Sequence, residues 1–200
     1  MNPVLSIRSS LRRLPLALVL LGASGVAVAH PGHGVEHGAF FSGLTHPLFG
    51  IDHLLAMVAI GLWSLRQSTA LRRATPWLAA LGMIVGAGLA VAGVALPGVE
   101  NAIALSVLLA GIMLATLVRL PGAIGGTLVV AFLLVHGHAH GTEMPANASF
   151  LLFLAGFTLT TLAITLAARG IGQWLGRRDS RVLRVAGGVI AACGAAFALS

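Results

Sequence analysis

The chain has 200 residues, 58% of them hydrophobic and 8% charged, with a mean hydropathy of +0.98, values that exclude a soluble domain and fit a polytopic membrane protein. Its net charge of +7 comes from 12 arginines without a lysine, placed as a membrane topology requires rather than as a nucleic-acid surface, and the missing lysine excludes a Walker A phosphate loop. One cysteine, Cys193, supports neither an intrachain disulfide nor a thiolate metal site.

Residues 1–29 read as a secretory signal peptide: Arg8, Arg12 and Arg13 precede an apolar run that ends in the small-x-small sequence Ala27-Val28-Ala29. An uncleaved first helix is the alternative, and both place the residues after Ala29 outside. Residues 30–41 form an expected periplasmic tail in which His30, His33 and His37 either collect a divalent cation loosely or do nothing specific. Residues 42–200 are expected to form an all-α bundle of six transmembrane helices at about 42–64, 77–96, 101–118, 122–141, 149–168 and 182–199. With an outside start, Arg66, Arg72, Arg73, Arg119, Arg169, Arg177, Arg178, Arg181 and Arg184 all fall in cytoplasmic links, and the outer links carry Glu100 and Glu143. Short links at Pro97–Glu100 and Arg119–Pro121 predict antiparallel neighbours. Small residues spaced by four, as in Gly82/Gly86, Gly88/Ala92 and Gly137/Gly141, predict close helix packing, and Asn147-Ala-Ser149 reads as the N-cap of the fifth span.

Two spans carry groups that lipid disfavours. The first holds His46, Asp52 and His53; read as a continuous helix, it puts both imidazoles on one face two turns apart, with Asp52 and His53 near the midplane and Pro47 and Gly50 loosening the turns between. In the fourth, His136, His140 and Glu143 lie at i, i+4 and i+7, one stripe, whereas His138 points the other way and reads as a helix–helix hydrogen bond. Met57 reads as core packing. Both clusters fall towards the outer face. Imidazole and carboxylate together suit nickel, cobalt, zinc or copper(II), not the oxygen-seeking magnesium and calcium or the sulfur-seeking copper(I). His46, Asp52, His53, His136, His140 and Glu143 are therefore the expected metal ligands of a path through the bilayer. No nucleophile elbow or zinc-hydrolase motif points to an enzyme. A membrane haem subunit with axial histidines and a metal-binding sensor without throughput are the competing readings.

At these residues the chain resembles the HupE/UreJ family of small nickel and cobalt permeases. The resemblance rests on His-x5-Asp-His at His46, Asp52 and His53, and on His-Gly-x-Ala-His-Gly-x-Glu from His136 to Glu143; Val135 stands where the family tends to have phenylalanine. It implies uptake of Ni2+ (or Co2+) as cargo, with no permanently bound cofactor, across the bacterial cytoplasmic membrane. It further implies supply of hydrogenase or urease maturation, with metallochaperones of a nickel enzyme as candidate partners.

Overall fold

In the computed structural model, residues 35–145, 147–176 and 180–199 are described, and they form seven α-helices without a strand among them. The helices are α1 (Val35–Phe49), α2 (Ile51–Ser64), α3 (Thr69–Val91), α4 (Val99–Thr116), α5 (Gly122–Thr142), α6 (Phe150–Gly176) and α7 (Ser180–Ala198). The expected signal peptide, His30 and His33 lie outside the described residues, as does the side chain of His37. α1 begins at Val35, inside the stretch 30–41 expected as a tail.

Five helices, α3 to α7, are long and apolar enough to cross a membrane, and the bent pair α1–α2 makes six if it counts as one span. The expected first span is therefore not one helix. At 14 and 15 residues, α2 and α1 are each about 21–23 Å long, short of the ~30 Å hydrocarbon layer, and they meet at 77°. Pro47 lacks the amide of a regular turn, and Gly50 is extended (φ −79°, ψ 103°), so the ladder of amide bonds stops and restarts at Leu54 N–H to Gly50 O, 3.0 Å. Any residue can adopt that φ; what Gly50 supplies is room. A Cβ there would lie 2.9 Å from His53 Nδ1 and 3.1 Å from Asp52 Oδ1. The bend also removes the common face expected for His46 and His53, since helical periodicity does not carry across the break. Other expected boundaries move as well: α3 spans Thr69–Val91 rather than 77–96, capped by Ser68, whose hydroxyl accepts from Leu71 N–H at 3.3 Å, and α6 runs on to Gly176 rather than 168.

Bundle contacts follow the small residues. A Cβ on Gly82, Gly86, Gly137 or Gly141 would collide with the facing backbone of α3 or α5, so these two helices lie against each other without side chains between them. Gly111, Gly187 and Gly194 do the same for α4 and α7, and Gly43 and Gly156 for α1 and α6. Gly88 is the exception to the expected pattern: it faces open space. At the basic end, Trp63 Nε1 and Gln67 Nε2 both donate to Val118 O at 2.9 Å, and Gln67 Oε1 accepts from Leu120 N–H, which ties the α2 terminus to the α4–α5 link. Met57 is fully buried in the central apolar cluster.

Candidate metal centre

α5 brings its histidines to the other end of the bundle, opposite the arginines that flank α2 and α3. The regular ladder to Glu143 N–H from Ala139 O (3.2 Å) keeps the expected stripe intact, and Glu143 caps the helix. From α1, His46 Nε2–H donates to Glu143 Oε2 at 2.8 Å, and His140 Nδ1 stands 3.7 Å from the same oxygen, an ion-pair distance rather than a hydrogen bond. One ligand atom each from His46, His140 and Glu143 lie within 4.8 Å of one another. Two ligands about 2.1 Å from a shared ion span at most ~4.2 Å, so a small inward movement closes this set. The Glu143 carboxyl is held at about 2, below the usual carboxylate value, first by His140 and then by the hydrogen bond from His46, with burial opposing.

Below this mouth the imidazoles continue inwards in contact. Ring centroids are 4.5 Å apart for His46–His140, 3.8 Å for His140–His53 and 4.4 Å for His53–His136. The helices thus bring all four expected histidines into one ladder. Asp52 does not join the three-residue ligand group. Its Oδ1 accepts from both the backbone N–H and Nδ1–H of His53 at 2.7 Å, the carboxylate–imidazole arrangement that orients a ligating histidine, while His53 Nε2 stands 3.4 Å from His136 O. Nor is Asp52 the deepest group, because the bend leaves it in the first turn of α2, 29% exposed at the rim of a cavity of about 560 Å³ shared with Glu100. Of the four histidines His136 is the most enclosed, with none of its surface exposed.

Two features were not found from the sequence. Ser106 of α4 reaches His136: its Oγ lies 2.7 Å from His136 Nε2 and 2.8 Å from Ile103 O. A hydroxyl has one proton. Assigned from this network, it goes to the Ile103 carbonyl, so Oγ accepts from His136 Nε2–H and Nδ1 keeps its lone pair, buried and without a hydrogen-bond partner. A lone serine in an apolar helix gives no sequence signal. The second feature is an aromatic wall from α6, Phe153 beside His46 (6.1 Å) and Phe157 beside His140 (4.7 Å), for which the i, i+4 spacing was the available clue. His138 turns away, as expected, and donates from Nε2 to Val94 O at 2.7 Å.

His140 is the least satisfied group. Both its ring nitrogens are buried without a hydrogen-bond partner, a situation that costs roughly 1–3 kcal/mol for each unmet donor or acceptor. His46, His53 and Glu143 surround it.

The family described as HupE / UreJ protein matches residues 18–197 of the chain. Protein HupE of Rhizobium leguminosarum bv. viciae is 36% identical over 172 residues, which covers 86% of this chain and 90% of that protein. No solved structure matches.

Proposed function

This chain belongs to the HupE/UreJ family, and from that premise we propose that it is a secondary permease admitting a divalent transition-metal ion, nickel or cobalt, through its multi-pass bundle. The observation that carries this reading is His140, buried with two unpartnered nitrogens between a carboxylate-bearing mouth and an inner imidazole pair. His46, His140 and Glu143 receive the ion; His53, oriented by Asp52, and His136, oriented by Ser106, take it inwards. Imidazole nitrogens with one or two carboxylates match borderline first-row ions. The membrane is the bacterial cytoplasmic one, with the histidine end periplasmic and the arginine end inside, where positive charge belongs. Metal released there supplies the maturation of hydrogenase or urease through their metallochaperones.

The test is uptake of radioactive nickel, with cobalt and zinc as competitors, into cells and sealed vesicles. Asp52→Asn and His53→Ala abolish uptake while the protein stays in the membrane at wild-type level; normal accumulation in both variants overturns the reading. Transport into vesicles also separates a permease from a sensor without throughput. The haem alternative loses its geometry, because imidazoles 3.8–4.4 Å apart leave no slot for a porphyrin between them.

A further inference from the structure

At the end of the bundle opposite the histidines, Arg66 after α2, Arg72 and Arg73 near the start of α3, and Arg169 of α6 line a cavity of about 490 Å³ together with Gln173 and Leu183. Like charges do not gather without compensation, and Arg72 and Arg169 repel one another here. The carboxylates whose side chains are described, Asp52, Glu100 and Glu143, belong to the other end, so no described acid neutralises the four. Two donors are also unmet: Arg66 Nε and Arg169 Nε are shut off from solvent and lack a hydrogen-bond partner.

We propose that this cavity binds a phosphate group. Guanidinium forks present paired N–H donors that match phosphate oxygens, and a tetrahedral anion among four of them satisfies the buried Nε atoms while cancelling the repulsion. Depth favours a lipid as the source. At 27 residues α6 is about 40 Å long, more than the ~30 Å hydrocarbon layer, and Arg169 lies in its last two turns, close to the exposed Trp174, at the level where headgroups and interfacial aromatics meet. Basic pockets between helices on the inner side are where anionic headgroups lodge. The site is independent of the metal ladder and of whether that ladder transports.

The experiment uses the full-length protein in uncharged detergent and reads its thermal midpoint on adding phosphatidylglycerol, phosphatidylcholine or inorganic phosphate. Phosphatidylglycerol is expected to raise the midpoint by about 3 °C and phosphatidylcholine not at all. The Arg72→Gln/Arg169→Gln pair loses the shift, and Arg119→Gln, which removes one charge at the same end outside the cavity, keeps it. If inorganic phosphate alone reproduces the shift, the site stands and its occupant is a soluble phosphate compound. Should the glutamine pair not fold, the Arg72→Lys/Arg169→Lys pair decides, since it keeps the charge and loses the fork; it is expected to lose most of the response. Equal shifts with both lipids and none with phosphate, an undiminished response in the glutamine or lysine pair, or an equal loss in Arg119→Gln would each overturn the proposal.

Discussion

Ser106 has the smallest side chain in the polar network and decides which nitrogen of His136 is free. Partners of this kind tune affinity by roughly 10–100-fold when removed from a metal ligand. Ser106→Ala should therefore raise the nickel concentration needed for half-maximal uptake by about tenfold, and Ser106→Thr should restore it; a purely structural serine would change protein level instead, as a membrane immunoblot shows. Glu143 makes a prediction through its charge. Because two imidazoles hold its carboxyl at about 2, below its unfolded value of 4.5, its ionised form persists in the folded protein at every pH above that, and any stability it confers is complete above the unfolded value and is lost progressively as pH falls from there through about 2. Glu143→Gln should lower uptake by the same factor at pH 7.5 and pH 5.5, which parallel pH profiles of the variant and wild type will check.

At the scale of helices, the α3–α5 contact sets where His136 and His140 sit. Gly86 packs directly on the backbone of Leu134 and His138, so Gly86→Leu should separate the two helices and prevent accumulation of the folded protein, whereas Gly88→Leu, facing open space, should be tolerated. Gel-filtration profiles of the two detergent extracts distinguish these outcomes. Glycine spacing in the sequence announced this contact because small residues four apart allow close approach in lipid, yet spacing alone could not tell Gly86 from Gly88, which differ in face by about 200°. The histidine stripe of α5 was legible for the same reason of regular period. What period could not express was the 77° break: Pro47 and Gly50 permit a bend without stating its angle, and the angle removes the straight-helix depth scale for His46, Asp52 and His53. Ser106 and the arginine cavity were illegible in a different way, since each exists only where helices distant in sequence meet.

For the whole molecule, the separation of charge decides the energetics. Among the described residues the acids and imidazoles occupy one end and the arginines the other, so a divalent ion that enters at the histidine end, as proposed, gains about 4.6 kcal/mol per 100 mV of inside-negative potential, twice the single-charge value. For the proposed permease this amounts to over a thousandfold accumulation at equilibrium without ATP. Clamping the potential of sealed vesicles near zero with potassium and valinomycin should reduce nickel accumulation to little more than the outside concentration, as counted by filtration. The touching of successive imidazole rings, 3.8–4.5 Å from centre to centre, carries one more consequence. Two doubly charged guests about 5 Å apart at an effective dielectric of about 20 would repel by roughly 13 kcal/mol, far more than the field supplies. In the proposed permease such a ladder would hold a single occupant, and traffic through it would be a queue in which each newcomer waits for its predecessor to depart.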